Sequence, residues 1–102
     1  MPIEEINVDE LDQRMSDGIV LVDVREADEL QAVRVPGVQH IPLGELAARI
    51  AEIPEGHVHV ICRSGARSMT ACQQLVQAGR SATNVAGGTL AWVDSGRPTE
   101  SG

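Results

Sequence analysis

The chain has 102 residues, which is enough for one domain but not for two. Hydrophobic residues make up 42% of it, but Trp92 is its only large aromatic residue, so the core must be aliphatic. The net charge of -7 argues against nucleic acid or an anionic membrane surface as a partner, because both need a basic binding surface.

The N-terminus, Met1 to Glu5, has neither a basic start nor an apolar run, so we expect no signal peptide. No stretch of the chain approaches the roughly 18 apolar residues of a membrane span. We therefore expect no membrane partner and a cytoplasmic location. In that reducing compartment the two Cys residues would be free thiols.

The first part of the chain alternates predicted strands and helices. We expect a short edge strand over 3–6, after which Asn7 and Glu10, at capping-box spacing, begin a helix. Residues 19–22 form a continuous apolar run, which is typical of a strand buried on both faces. An acidic run follows, which we interpret as a solvated helix surface. Its members are Glu26, Asp28 and Glu29.

The rest of the chain continues this alternation. We expect strands over 38–41, 57–61 and 82–85, and helices over 43–50, 67–78 and 89–94. The helix over 67–78 places apolar side chains on one face, namely Met69, Cys72, Leu75 and Val76. Residues 98–102 are predicted to be a flexible tail. The alternation predicts one α/β domain over 1–102, with a parallel sheet and helices on both faces.

Ligands of such sheets bind outside the carboxyl ends of the strands. Asp23 and Cys62 each come just after a predicted strand, so we expect them at one rim of the sheet. The segment after Cys62 joins its strand to the next helix, whose first amides lack partners inside the helix and favour an anion. The cations Arg63 and Arg67 would favour a thiolate at Cys62 over a thiol.

A Cys at the end of an apolar strand is often only a small buried residue. The polar neighbours of Cys62 instead indicate an exposed loop, in which a structural thiol has little purpose. Cys72 has apolar neighbours on one helix face and is interpreted as a structural residue. The three His residues lack ligand partners at useful spacing, and we expect no metal site.

Four pieces of sequence carry a resemblance to a known family. They are Leu21-Val22-Asp23-Val24-Arg25-Glu26; Val35-Pro36-Gly37-Val38 followed by Ile41-Pro42-Leu43; Cys62-Arg63-Ser64-Gly65-Ala66-Arg67-Ser68; and Asn84-Val85-Ala86-Gly87-Gly88 with Trp92, Gly96 and Pro98. In this order and spacing they resemble the single-domain rhodaneses, a group of sulfurtransferases. The resemblance covers nearly the whole chain.

The resemblance implies a rhodanese-like three-layer α/β/α fold, with a central, mainly parallel sheet of about five strands. It implies that Cys62 is catalytic and takes a sulfane sulfur from a small anionic donor, thiosulfate or glutathione persulfide. Cys62 would hold this sulfur as a persulfide and pass it to a thiol or a thioredoxin-like acceptor, without metal or cofactor. Asp23 and Arg25 would support the loop. The donor would be bound by Arg63, Ser64, Gly65, Ala66 and Arg67.

Two alternatives remain open. Some phosphatases of this fold also use a loop Cys and an Arg, but five residues separate them there, whereas four separate Cys62 from Arg67. The shorter loop favours a sulfane sulfur over a phosphoryl group. The other alternative is a non-catalytic or regulatory sulfur-carrier or binding module. The presence of Cys62 argues against a module that only binds or regulates, while a persulfide carrier that hands sulfur to a protein partner lies between the two interpretations.

Overall fold

Five short strands pair in parallel to form one central sheet in the computed structural model, which describes residues 3–102. In chain order the strands are β1 (Glu4–Ile6), β2 (Val20–Asp23), β3 (Gln39–His40), β4 (Val58–Ile61) and β5 (Ala82–Val85). Their order across the sheet is β1-β5-β4-β2-β3, so β4 lies at the centre. Residues 1 and 2 lie outside the described part of the chain. The prediction that Met1 to Glu5 does not begin a signal peptide therefore falls partly outside it.

Within residues 3–102, five α-helices connect and cover these strands. They are α1 (Val8–Met15), α2 (Ala27–Ala32), α3 (Leu46–Arg49), α4 (Ala66–Gln77) and α5 (Gly88–Asp94). Two apolar clusters fill the space between sheet and helices. One joins the sheet to α3 and α4 through side chains such as Val60 and Leu75, and the other joins it to α1 and α5 through Leu11 and Trp92. The fold is therefore a three-layer α/β/α sandwich, as expected.

The central strand β4 shows how the sequence specifies this arrangement. All four of its residues are buried, and Val58 and Val60 belong to one cluster while Ile61 belongs to the other. Alternate side chains thus fill both layers, which explains why such a strand reads as a nearly continuous apolar run. The predicted capping box is present at the first helix. The Glu10 amide donates to the Asn7 side chain, and the Asn7 amide donates to the Glu10 side chain.

Two helical details differ from the sequence prediction. The helix expected over 43–50 is a short α3 flanked by 3-10 turns at Leu43–Glu45 and Ile50–Glu52, and the weak helix former Gly44 lies in the first turn. In α4 the fully buried face is turned from the one predicted. Met69 and Val76 are only half-buried, whereas Ala71 and Ser68 are buried.

The last residues, predicted to be a flexible tail, contact the end of α2. Arg34 and Glu100 exchange two backbone hydrogen bonds of 2.9 and 3.0 Å in an antiparallel bridge. The Gly102 amide donates to the Gln31 carbonyl, and the Trp92 indole N–H donates to the Pro98 carbonyl. Among residues 3–102, no helix has the length and apolar character needed to cross a membrane.

Candidate functional site

The segment from Cys62 to Gly65 turns the chain from the carboxyl end of β4 into α4. Gly65 has a φ of +115°, a left-handed conformation that side-chain-bearing residues rarely adopt. This turn aims the first amides of α4 back toward Cys62. The sequence-predicted cradle of N–H groups at a helix N-terminus is therefore present around the thiol.

The Cys62 side chain lies beneath this turn and not on the surface. Only 1% of the residue is exposed, although Arg63 and Ser64 beside it are exposed. The Gly65 amide donates a hydrogen bond to Cys62 Sγ at 3.1 Å, and Ser68 Oγ lies 3.2 Å from the same sulfur. The loop is polar and exposed as predicted, but the thiol itself is buried inside it.

Hydrogen bonds to the sulfur shift the pKa of Cys62. Burial alone raises this pKa and is the largest single effect. The hydroxyl of Ser68 and the backbone amides of Ser68, Gly65 and Ser64 act together in the other direction, and the net pKa lies below the ordinary value. These bonds stabilise the thiolate because an ionised sulfur accepts stronger hydrogen bonds than a neutral one.

The two Arg residues that were expected to supply positive charge are in different situations. Arg67 makes a two-pronged ion pair with Glu29 of α2, with distances of 2.7 and 2.9 Å. Glu29 was interpreted as part of a solvated surface, and this contact corrects that interpretation. The pKa of Arg67 is raised, chiefly by its hydrogen bonds with Glu29 and to a smaller extent by the charge of Cys62. Arg63 is exposed.

Asp23 and Arg25 form a buried ion pair at the end of β2, beside the end of β4. The guanidinium of Arg25 contacts both carboxylate oxygens of Asp23 at 2.9 to 3.1 Å and also donates to the Val33 carbonyl. Between them, the Val24 amide donates to the Ile61 carbonyl, next to Cys62. The pair therefore lies beside the start of the loop.

Helix α5 holds the loop from the other side, a role that the sequence did not indicate. The amide and the hydroxyl of Thr89 both donate to the Cys62 carbonyl, at 2.9 and 3.0 Å, and the Leu90 amide donates to the Arg63 carbonyl. A Cβ on Gly88 would lie 2.5 Å from the Cys62 carbonyl oxygen and 2.6 Å from that of Arg63. Only Gly permits so close an approach of the helix to the loop.

An open groove of about 260 Å³ lies beside the loop. Its lining combines charged side chains, Arg25, Glu29, Arg63 and Asp94, with apolar side chains that include Leu90 and Val93. These two side chains are 43% and 42% exposed.

The three His residues lie away from the thiol cradle, each in hydrogen-bonded surroundings. His40 pairs with the Arg25 carbonyl, His57 with Ser81 and Thr83, and His59 with Arg14. Among residues 3–102 no group of three or more metal-binding side chains comes together.

Comparison with known proteins identifies the family. The family model of the rhodanese-like domain matches residues 7–95 of the sequence. A sulfurtransferase of Allochromatium vinosum is 37% identical, over 94% of this chain and 94% of its own. Thiosulfate sulfurtransferase 18 of Arabidopsis thaliana is 31% identical, over 94% of this chain and 82% of its own. The crystal structure of a rhodanese-related protein from Thermoplasma volcanium superposes with a TM-score of 0.88 at 30% identity, covering 95% of this chain and 97% of the other.

Proposed function

Since the chain belongs to the rhodanese-like domain family and its relatives are named sulfurtransferases, we propose that it transfers sulfur through a persulfide on Cys62. A single observation carries the proposal. The Cys62 sulfur lies among several N–H groups and the Ser68 hydroxyl at a helix N-terminus, and hydrogen bonding with these groups holds its pKa below the ordinary value. A structural thiol has no need of such a cradle, as the unassisted Cys72 illustrates.

The reaction has two steps. In the first, the Cys62 thiolate attacks the outer sulfur of thiosulfate, a bond forms to Sγ, and the donor's sulfur–sulfur bond breaks so that sulfite leaves with the electron pair. In the second, an acceptor thiolate attacks the terminal sulfur of the persulfide. The bond to Sγ then breaks, which regenerates the Cys62 thiolate and gives a persulfide on the acceptor. No metal or organic cofactor takes part in either step.

The residues of the loop have separate roles in this scheme. The amides from Ser64 onward stabilise the anionic donor and the terminal sulfur of the persulfide. Arg63 meets the incoming anion at the mouth of the site, while Arg67 closes the loop through its contact with Glu29. Asp23 and Arg25 keep the loop in position.

Thiosulfate and glutathione persulfide are the donors we propose, because both are small anions that suit a cradle of N–H groups. The first also appears in the name of the relative from Arabidopsis thaliana. A small thiol or a thioredoxin-like protein is the proposed acceptor. We propose a reducing, cytoplasmic setting, in which the two free Cys residues stay as thiols.

Mass spectrometry of the intact protein tests this function. After exposure to thiosulfate or to glutathione persulfide, the protein is expected to gain the mass of one sulfur atom on Cys62. Cys62→Ser should abolish this gain and the transfer to cyanide or a thiol, whereas the matched variant Cys72→Ser should retain both. Protein that never gains the sulfur, or loses the gain only with Cys72→Ser, would contradict the proposal.

Burial of Cys62 favours one second candidate, a non-catalytic or regulatory binding module, because only 1% of this residue is exposed. The same experiment separates the two, since a module of this kind acquires no sulfur from either donor.

A phosphatase is opposed by the short spacing from Cys62 to Arg67 and by the pairing of Arg67 with Glu29. Turnover of an aryl phosphate without any transfer from thiosulfate would support the phosphatase instead.

A further inference from the structure

A chain of polar side chains links the Cys62 sulfur to the edge of the sheet. Cys62 Sγ lies 3.2 Å from Ser68 Oγ, and Ser68 Oγ donates to Asn84 Oδ1 at 2.5 Å. Asn84 Nδ2 in turn donates to Glu5 Oε2 at 2.9 Å. The residues come from the loop, α4, β5 and β1, and both Ser68 and Asn84 are buried.

The orientation of the Asn84 amide is fixed by what surrounds it. Its NH₂ group donates both to the Glu5 carboxylate and, at 3.1 Å, to the Gly65 carbonyl, and neither of these oxygens can donate in return. Turning the amide over would bring its oxygen against two acceptors. Asn84 Oδ1 is therefore held toward Ser68, where it requires a donor.

Ser68 has only one hydroxyl proton to satisfy two neighbours. While that proton lies on the bond to Asn84 Oδ1, Ser68 can only accept from Cys62, which must then be a neutral thiol. A Cys62 thiolate needs the same proton for itself. The thiol proton leaves to solvent, the Ser68 hydroxyl turns toward Sγ, and Asn84 Oδ1 loses its donor.

We propose that Asn84 is a positioning residue that competes with Cys62 for the hydroxyl proton of Ser68 and so sets how readily the nucleophile ionises. The inference rests on the proposed function, because ionised Cys62 is the species that attacks the donor. In the persulfide the charge moves to the terminal sulfur, and the Ser68 hydroxyl returns to Asn84. Asn84 thus accepts the proton in the states in which Sγ is uncharged.

Other charged or titratable groups lie around the loop that holds Cys62, and the variants used in the test leave them unchanged. Arg67 and Cys72 lie on α4, and Arg67 is paired with Glu29 of α2. The remaining groups are the Asp23–Arg25 pair at the end of β2 and Arg63 in the loop itself. Glu5 is part of the hydrogen-bonded series described above, in which it accepts from the Asn84 side chain.

The test measures the rate at which iodoacetamide alkylates Cys62 between pH 5 and 9, with modified Cys62 and Cys72 peptides separated by mass spectrometry. Ser68→Ala removes a donor from the thiolate and should slow alkylation about fivefold at pH 6. Asn84→Ala frees the Ser68 proton for Sγ and should accelerate it by about the same factor. The rate at high pH should stay unchanged in both variants, because access to the sulfur is not altered.

Ser68→Ala and Asn84→Ala should change the alkylation rate in opposite directions. A simple loss of packing would change the rate in the same direction in both variants. Asn84→Leu fills the same space without an acceptor and should also accelerate alkylation, which covers the case in which Asn84→Ala does not fold. In a Ser68→Ala background, replacing Asn84 should have no further effect. Thr83→Ala is the matched control, since Thr83 is equally buried on β5 but bonds to Glu4 and His57.

Unchanged or slower alkylation in the folded Asn84 variants would overturn the inference, as would an equal acceleration by Thr83→Ala. Alkylation requires no sulfur donor. The outcome is therefore independent of whether Cys62 ever carries a persulfide, and failure of the proposed function is recognised separately by the absence of the added sulfur.

Discussion

Two buried thiols in this chain have opposite chemical character. Cys62 Sγ accepts a hydrogen bond from the Gly65 amide and lies 3.2 Å from the Ser68 hydroxyl, and its pKa is held down in spite of burial. Cys72 lies one turn beyond Ser68 on α4 among apolar side chains, and burial raises its pKa to about 12. The difference arises from the donors around each sulfur and not from their exposure, since both side chains are almost fully covered.

This contrast predicts selective labelling of the native protein. At pH 8, iodoacetamide should modify Cys62 and leave Cys72 unmodified until the protein unfolds, because only a thiolate reacts at a useful rate.

Cys72→Ser should lower the free energy of unfolding by about 1–3 kcal/mol, since it places a hydroxyl in an apolar pocket. Cys62→Ser should cost less, because its surroundings already provide hydrogen bonds. Peptide mapping and urea unfolding measure these effects, and equal labelling of both thiols would contradict the assignment.

At the scale of the elements, two helices fix the loop from opposite sides. The Glu29–Arg67 ion pair joins α2 to the start of α4, while Thr89 at the start of α5 holds the Cys62 carbonyl. The thiol cradle is therefore assembled by tertiary contacts and would not persist in the isolated strand–loop–helix segment. Changes in α2 or α5 should alter transfer even though neither helix contributes the nucleophile.

Gly88→Ala tests the contact between α5 and the loop. Its Cβ would clash with two backbone carbonyl groups of the loop, so the helix must move away from Cys62 and Arg63. Gly79→Ala is the matched control, because Gly79 also has a positive φ, +87°, but has open space around it. In both variants the free energy of unfolding should fall by about 1–2 kcal/mol, because Ala is strained at a positive φ. Only Gly88→Ala should lose more than this and show at least about a tenfold lower kcat/KM for sulfur transfer, as measured by urea unfolding and steady-state kinetics.

The Glu29–Arg67 pair should contribute a pH-dependent stability. Its hydrogen bonds from Arg67 lower the pKa of Glu29 to about 2. Because this folded-state pKa lies below the unfolded value of roughly 4.3, the contribution is fully present above that value and is lost as the pH falls toward about 2. Both side chains are partly exposed, 26% and 36%, so Glu29→Gln should cost no more than about 1 kcal/mol at pH 7.

Urea unfolding of wild-type protein and Glu29→Gln between pH 2 and pH 7 measures this term, and the two stabilities should converge at the acid end. Glu52→Gln is the control, since it breaks an exposed pair with Arg49 that lies away from the loop. Glu29→Gln should also raise the KM for thiosulfate by releasing Arg67 from its fixed position, whereas Glu52→Gln should not. A difference in stability that persists at pH 2 would show that the ion pair is not its source.

At the scale of the whole molecule, local signals predicted the layers and long-range contacts determined the details of the site. The apolar run at 19–22 and the Asn7–Glu10 capping box were sufficient to locate β2 and α1. Contacts between residues distant in sequence carry no local signal of this kind. Arg67 and Glu29 are 38 residues apart, and Ser68 and Asn84 are 16 residues apart. Each such residue is polar and unremarkable until the fold brings it to its partner.

The C-terminal segment is the clearest case, because its composition suggests a loose tail while its backbone pairs with Arg34 after α2. That pairing supports the end of the helix that carries Glu29. Deleting residues 99–102 should therefore lower the free energy of unfolding by about 1–2 kcal/mol, through loss of backbone hydrogen bonds. It should also accelerate hydrogen exchange at the Arg34 amide, which donates to the Glu100 carbonyl.

Glu100→Ala separates the backbone bridge from the side-chain ion pair of Arg34 and Glu100, whose charged atoms are 3.6 Å apart and exposed to solvent. This substitution keeps the two backbone bonds, so both stability and exchange at Arg34 should remain close to wild type. If Glu100→Ala were as destabilising as the deletion, the ion pair would be responsible and not the bridge. If the deletion left exchange at Arg34 unchanged, the segment would not support α2 in solution.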